Sequence, residues 1–355
     1  MALFEHPDFD NHEHVSFCFD KETGLQAIIA IHNTHLGPSL GGCRMWPYSN
    51  SEEALSDVLK LSQGMSYKAA MAGLKQGGGK AVIIGDPRKH KSDALMRAMG
   101  RFVNNLNGQY IIAEDSGINV EDVQIMGSQT SYAAGVSARF SFDDSIANGN
   151  PAPSTAYGVF CGIKAATQHV FSSDLRNKTV AIQGLGNVGL RLAKHLYEAG
   201  AKLFVSDIYS DNLLVAQNEY EASIVDNESI HMLDVDIFAP CALGGAINEQ
   251  SIDHIKAKIV AGAANNQLTN NQLAKTLKLN NIAYVPDYVI NAGGIIDIYH
   301  QSLTNSSNHN LRLQLEDIGN TVQKVLEKSS LSDSSTVDIA NEIAEQALLN
   351  QSIKE

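Results

Sequence analysis

The stretch "TVAIQGLGNVGLRLAKHLYEAGAKLFVSD", Thr179 to Asp207, decides the fold class of this chain. An apolar run, Thr179 to Gln183, leads into Gly184, Gly186 and Gly189, which open a helical segment, and a second apolar run ends on Asp207. A lone G-x-G-x-x-G carries little weight, but between a strand and a helix it reads as a dinucleotide loop. Gly184 permits the tight turn, Gly186 the approach of backbone to a pyrophosphate, and Gly189 close packing of helix on strand. Asn187 and Val188 complete the loop, and the helix N-terminus offers unpaired N–H groups to phosphate. Asp207, followed by Ile208, would accept hydrogen bonds from ribose hydroxyls and repel a 2′-phosphate, so NAD is expected rather than NADP. The bland alternative is a glycine-rich turn in an ordinary α/β domain. A Walker loop ending at Lys80 is excluded, because it would need glycine at Leu74 and Ser or Thr at Ala81.

Downstream, "DIFAPCA", "KIVAGAA" and "IAYVPD" continue the rhythm of short apolar runs between helical or polar segments. That rhythm predicts a doubly wound parallel sheet. Upstream, "FDDSIANGNPAPS", Phe142 to Ser154, is rich in Asn, Gly and Pro and marks a boundary. Before it, "LQAIIAIHN" reads as a strand. "SEEALSDVLKLSQGM" reads as a helix with Ser51 as N-cap. "KAVIIGD" is a short strand starting at Lys80, and "SDALMRAMGRFVNNL" is the clearest amphipathic helix. Two helical segments, "LRLQLEDIGNTVQKVLEK" and "TVDIANEIAEQALL", end the chain. The expected division is a first domain over 1–145, a second over 146–330, and a C-terminal helix over 331–355 packing back on the first.

The chain has 355 residues, too many for one ordinary core. A net charge of −13 argues against nucleic acid as a partner. The start has no apolar signal core and no apolar run spans a bilayer, so a cytoplasmic protein without membrane contact is expected. The four scattered cysteines read as reduced thiols. His12 and His14 lack a cysteine or carboxylate partner at ligand spacing, and no metal is implied.

Within "MSYKAAMAGLKQGGGKAVIIGDP", Met65 to Pro87, Lys68 and Lys80 flank three glycines, Gly77 to Gly79. Beside a nicotinamide cofactor, Lys68 could clamp a substrate carboxylate. Acid–base work by Lys80 would need its titration lowered by roughly 2–3 pH units, worth about 3–4 kcal/mol. Desolvation and the like charge of Lys68 both act in that direction, and the glycines would let substrate close around Lys80. The plain alternative is a surface lysine after a flexible loop. In "YIIAEDSGINVEDV", Tyr110 to Ala113 reads as a strand, with Asp115 at its C-terminal end, where α/β sheets gather functional groups. It could exchange a proton with a substrate amine, or be a turn aspartate.

Taken in order, "GPSLGGCRMWPY", "SYKAAMAGLKQGGGKAVIIGDP", "AEDSG", "NPAPSTAYGV", "GLGNVG", "PCALGG", "AGAANNQL" and "PDYVINAGG" resemble the glutamate, leucine, phenylalanine and valine dehydrogenases, leucine dehydrogenases most. The resemblance covers nearly the whole chain. It implies an N-terminal α/β domain for substrate and oligomerisation, and a C-terminal Rossmann-type domain for NAD. The implied reaction is reversible NAD-dependent deamination of an L-amino acid to the 2-oxo acid and ammonium, in a homo-oligomer. Lys68 matches the lysine on the substrate carboxylate, Lys80 the catalytic lysine working through a water, and Asp115 the aspartate that exchanges the amine proton. Thr155 matches a residue near the nicotinamide amide; the plainer reading is a helix N-cap, and both can hold. Asn265 and Asn291 match asparagines lining cofactor and substrate. Cys241 and Ala242 match the loop against the cofactor.

The same resemblance implies the substrate class. Leu40 stands before Gly41 and Gly42 where glutamate enzymes carry a lysine, and Ile295 and Ile298 match the side-chain pocket. With Met65 and Ala113 the lining is apolar, which disfavours glutamate. The bulk of the two isoleucines should narrow the choice to leucine, valine or isoleucine, with phenylalanine and tryptophan behind. Ser116, Ile118, Asn119, Ala152 and Ser154 depart from the more common residues of these enzymes. A non-catalytic NAD or amino-acid sensor is the alternative from another class, and it predicts loss of Lys80 or Asp115.

Overall fold

A sheet covered on both faces builds the first domain, its inner strands buried almost without interruption. In the computed structural model, which describes residues 3–136 and 149–350, five strands lie in the order β1-β2-β4-β3-β5. They are β1 (His14–Asp20), β2 (Leu25–Asn33), β3 (Ser39–Trp46), β4 (Gly77–Ile84) and β5 (Tyr110–Ala113). β2 runs antiparallel to β1 and β4, whereas β3 runs parallel to β4 and β5. Along β4, Val82 joins Ile28, Ala54, Val58 and Leu59 under helix α1 (Ser51–Met71). Ala81 and Ile83 join Met99, Phe102 and Val123 under α2 (Asp93–Asn104) and α3 (Val120–Gly127). Successive side chains alternate between faces, so Lys80 shares the α1 side with Val82.

Three local expectations differ from the structure. The α1 N-cap is Asn50, not Ser51, because the Asn50 side chain in extended backbone reaches Glu53 N at 2.9 Å. Helix α1 also runs past the quoted segment to Met71, carrying Met65 and Lys68 on its last turns. The three glycines are not a loop: Gly77, Gly78 and Gly79 are the buried start of β4. A Cβ on Gly78 would lie 2.0 Å from Ser66 N of α1, and one on Gly77 2.0 Å from Asn33 O. Those positions admit backbone packing, and leave no room for the substrate that the sequence suggested there.

The second sheet is wholly parallel, in the order β11-β10-β9-β6-β7-β8. Its strands are β6 (Thr179–Gln183), β7 (Lys202–Ser206), β8 (Ser223–Ile224), β9 (Ile237–Pro240), β10 (Ile259–Val260) and β11 (Ala283–Tyr284). The order reverses between β6 and β9, which opens a crevice at their C-terminal ends. Helices α4 (Ala152–Phe171), α5 (Gly189–Glu198), α6 (Ser210–Tyr220), α7 (Gln272–Leu279) and α8 (Asp287–Ile290) surround it, followed by α9 (Gly293–Ser302) and α10 (Asn308–Ser330). The last helix, α11 (Thr336–Asn350), lies against α1, with Tyr67 OH donating to Glu345 Oε1 at 2.9 Å. Gln314 of α10 also reaches the first domain, donating to Ala72 O at 3.0 Å.

Residues 142–148 of the expected boundary, and the division at 145/146, lie outside the described residues. The four cysteines are free thiols. Among the described residues no helix is long and apolar enough to cross a membrane.

Candidate active site in the interdomain cleft

Register brings the first group together. Cys43 pairs with Ala81 and Gly42 with Ala113, so Gly42, Lys80 and Ala113 share a row across three parallel strands. Asp115 follows in the turn after β5, and Lys80 Nζ stands 2.6 Å from its Oδ2. Arg44, two residues past Gly42, approaches the same oxygen through Nε at 3.3 Å. Burial pushes the Asp115 carboxyl up, but Lys80 and Arg44 outweigh it and hold the group down at about 2. The lining is tight: a Cβ on Gly42 would come 2.8 Å from Asp115 Cβ. Lys80 is buried, with 6% of its surface exposed.

Lys68 stands on the last turn of α1, in the same domain as Lys80. Its Nζ donates to Asn265 Oδ1 at 3.3 Å, across the two domains. Asn291 Nδ2 donates to the same oxygen at 2.8 Å and to Ala263 O at 3.2 Å. Asn291 Oδ1 is buried without a hydrogen-bond partner, an acceptor that a ligand donor could satisfy. Burial, aided by the like charge of Lys80, lowers Lys68 to about 8, against the pull of Asp287 and Asp115. Burial likewise raises the Asp287 carboxyl, opposed by Lys68 and by Asn266 N–H, which donates to Asp287 Oδ2 at 2.6 Å. The sequence reading placed the lowered ammonium at Lys80, with Lys68 as the perturbing charge. In the structure Lys80 pairs with Asp115, and it is Lys68, set against a neutral amide, that burial brings down.

Leu40, Ala113, Ile295 and Ile298 belong to one buried cluster, with Met65 packed against it. Ile298 Cγ1 and Cδ1 lie 3.7 and 3.8 Å from where a Cβ on Gly135 would stand. Gly41 is held from behind, its carbonyl accepting from the buried Tyr110 hydroxyl at 2.6 Å.

The glycine loop fits a dinucleotide. Gly184, with φ of +97°, leaves a gap that a Cβ would close against Ala242 N at 2.7 Å, whereas a Cβ on Gly186 would meet nothing within 4 Å. Gly189, at the start of α5, is by contrast packed on the loop, a Cβ there coming 2.0 Å from Gly184 O. Asp207 accepts from Leu185 N at 2.5 Å and Tyr209 N at 2.8 Å, which ties the acid to the loop. Ile208 beside it is 78% exposed. Cys241 N donates to Gln183 O at 2.7 Å, and burial pushes its thiol to about 12, so it is inert here. Thr155 is not an N-cap. It lies inside α4, its hydroxyl donating to Pro151 O at 2.9 Å and standing 3.0 Å from a Cβ on Gly294 at the start of α9.

Three residues escaped sequence reasoning. Arg44 was signalled only by being a cation within an otherwise apolar strand. Asp287 carried no signal, and neither did Asp297, buried on α9, whose Oδ2 accepts from Ser154 Oγ. Among the sequence departures, Ile118 is buried under α2 and α3, and Asn119 caps α3. His12 and His14 go separate ways: His12 Nε2 lies 3.0 Å from Leu59 O, and His14 Nε2 2.6 Å from Ser16 Oγ. Among the described residues no group of three or more His, Cys, Asp or Glu could hold a metal ion.

Comparison with known proteins accords with this geometry. Residues 11–132 match the Glu/Leu/Phe/Val dehydrogenase dimerisation domain. Residues 150–211 and 207–354 match glutamate/leucine/phenylalanine/valine dehydrogenase. A leucine dehydrogenase of Geobacillus stearothermophilus is 48% identical over 349 residues, 98% of this chain and 94% of that protein. A phenylalanine dehydrogenase of Lysinibacillus sphaericus is 43% identical over 347 residues, 96% and 90% of the two chains. The crystal structure of L-tryptophan dehydrogenase from Nostoc punctiforme aligns with a TM-score of 0.84 at 44% identity, covering 96% of this chain and 97% of that one. A cleft with two lysines and an aspartate, set against a dinucleotide loop and matched over both domains, leads to one assignment: the chain belongs to the glutamate/leucine/phenylalanine/valine dehydrogenase family and is an NAD(P)-dependent oxidoreductase acting on amino acids.

Proposed function

We propose that the protein catalyses the NAD-dependent oxidative deamination of an apolar branched-chain L-amino acid, L-leucine first, to the 2-oxo acid and ammonium, and the reverse reaction. The observation that carries this reading is the Lys80–Asp115 pair at 2.6 Å, with Lys68 close enough to feel the charge of Lys80. Lys68 and Asn265 hold the substrate carboxylate. Asp115, ionised, takes a proton from the substrate ammonium. Once the α-carbon has lost its hydride, Lys80, released from Asp115 and with its own proton given up to solvent, takes a proton from the water that adds to that carbon. Asp115 returns its proton to the nitrogen, which leaves as ammonium while the carbonyl forms. NAD, held by the glycine loop, would supply the hydride acceptor for that carbon. Gly184, Gly186, Asn187, Val188 and Gly189 cradle the pyrophosphate, with Thr155, Cys241, Ala242 and Asn291 along the nicotinamide side. Asp207 next to Ile208 supports NAD over NADP, since a carboxylate there repels a 2′-phosphate.

Leu40, Met65, Ala113, Ile295 and Ile298 receive the side chain, and an unpaired charge among them would be costly. One methylene alters binding by about 1–3 kcal/mol, so valine follows leucine closely. An aromatic substrate is the second reading, supported by the similarity to tryptophan and phenylalanine dehydrogenases. A sensor without chemistry is disfavoured by the intact Lys80–Asp115 pair. The remaining features follow the family: a first domain over 1–145 that joins subunits into a homo-oligomer, a cofactor domain over 146–330, a bridging segment over 331–355, and a cytoplasmic setting.

The test is NADH consumption with ammonium and a panel of 2-oxo acids. Fastest turnover with 4-methyl-2-oxopentanoate is expected; preference for phenylpyruvate or indolepyruvate would select the second reading. Lys80→Ala should abolish turnover and leave NADH binding intact, and wild-type rates in that variant would remove the assignment.

A further inference from the structure

Two cations share one oxygen of Asp115, and they are anchored differently. Lys80 ends on a flexible stem. Arg44, from β3, spans two carboxylates: Nε to Asp115 Oδ2 at 3.3 Å and Nη1 to Asp57 Oδ2 at 2.9 Å. Tyr48 OH donates to that same Asp57 oxygen at 2.5 Å, so the far end of the arginine is fixed as well. A planar guanidinium suits such a bridge, and it keeps its charge at every working pH.

We propose that Arg44, braced by Asp57 and Tyr48, is a positioning residue that keeps Asp115 ionised and in place while Lys80 turns from it to the substrate. This rests on the roles given above to Lys80 and Asp115. In the free enzyme Lys80 is the nearer cation. Once its ammonium moves, and without Arg44, the desolvation penalty of a mostly buried carboxylate would be opposed mainly by the Ser116 backbone N–H, which leaves the protonated acid favoured. A protonated Asp115 cannot take the amine proton. Arg44 does not titrate and is tied at both ends, so it supplies the counter-charge through that interval. Gly42 makes the arrangement possible, since a side chain there would strike Glu114 O at 2.6 Å and displace the turn that carries Asp115. The other charged or titratable groups around Asp115 are Lys68 from α1, Cys43 from β3, Tyr110 from β5 and the adjoining Glu114. None of them donates a hydrogen bond to it.

The experiment compares pH profiles of kcat and kcat/KM, from about pH 5 to 10, for the full-length enzyme and three variants: Arg44→Ala, Arg44→Lys and Asp57→Asn. Arg44→Ala should lower kcat about tenfold or more and move the acid limb of kcat, which reports the complex in which Lys80 has turned to the substrate, upward by about one pH unit, with KM for NAD within about twofold. Arg44→Lys, which keeps charge without the fork, should recover part of kcat and bring the limb back. Asp57→Asn should shift the limb in the same direction by less. If Arg44→Ala does not fold, the other two variants decide. An unmoved acid limb in the folded variants overturns the proposal, and so does an Arg44→Lys enzyme no better than Arg44→Ala. Lys80→Ala and Asp115→Asn run alongside: if they keep wild-type turnover, the underlying roles are wrong. If they are inactive while the Arg44 variants keep the wild-type limb, only the role of Arg44 falls.

Discussion

Lys68 offers a measurable consequence of its surroundings. Burial and the charge of Lys80 bring it from the ordinary 10.5 to about 8. If it grips the substrate carboxylate, binding should weaken as it loses its proton. The amino acid itself is a poor probe, because its own amine titrates nearby; 4-methylpentanoate, which has leucine's carboxylate and side chain but no amine, is a cleaner one. The ammonium fraction of a group titrating at about 8 falls about tenfold between pH 7 and pH 9, equivalent to about 1.4 kcal/mol. The inhibition constant of 4-methylpentanoate against L-leucine should therefore be flat below about pH 7 and rise about tenfold by pH 9. Lys68→Met should remove the break and weaken inhibition at every pH. Lys80→Ala, followed by direct binding since it would not turn over, should shift the break to higher pH because the like charge is gone. A constant that stays flat to pH 9.5 in the wild type would refute the reasoning, since it would mean an ordinary lysine or no contact with the carboxylate.

Other expectations can be checked independently. Asp207→Ser should improve kcat/KM for NADP about tenfold or more while weakening NAD, because the lost carboxylate also holds Leu185 N; unchanged preference in steady-state kinetics would count against the ribose contact. Ile298→Ala should destabilise the fold by about 2–4 kcal/mol in denaturant titration and raise the relative kcat/KM for L-phenylalanine, since the side chain is 9% exposed and closes the pocket against Gly135. A stable variant with wild-type selectivity would remove Ile298 from the pocket. His12 is lowered to about 4, chiefly by burial, so the unfolded chain takes up a proton near pH 6.5 that the folded chain refuses. Stability should be full above about pH 6.5 and fall toward pH 4 by at most roughly 3 kcal/mol from this group. His12→Gln should flatten that slope in urea midpoints, and an equal slope in the variant would assign the acid sensitivity elsewhere.

Local patterns were read well from sequence wherever one element carried its own signal. Leu25–Asn33 is a strand with the expected bounds, and the loop from Gly184 to Gly189 lies between β6 and α5 as its spacing implied. Patterns failed where the partner was remote. Gly77 to Gly79 look like a loop because glycine has weak strand preference, yet they pair in β4 since only a residue without Cβ admits Ser66 and Asn33 so closely. The first strand, His14–Asp20, alternates in sequence without having been read as a strand, and its Phe17 and Phe19 lie exposed rather than in the core.

What the sequence by itself determined was therefore the parallel second sheet, its dinucleotide loop, and the set of ionisable residues offered to the cleft. The tertiary structure alone decided which cation meets which anion: that Lys80 takes Asp115, that Arg44 braces the same oxygen, and that Lys68 is left to the Asn265 amide and loses basicity. The reason is physical. Glycine turns and strand periodicity follow from short-range sterics along one segment, whereas a proton affinity is set by charges a few ångströms away in space, brought there by strands and helices distant in the chain.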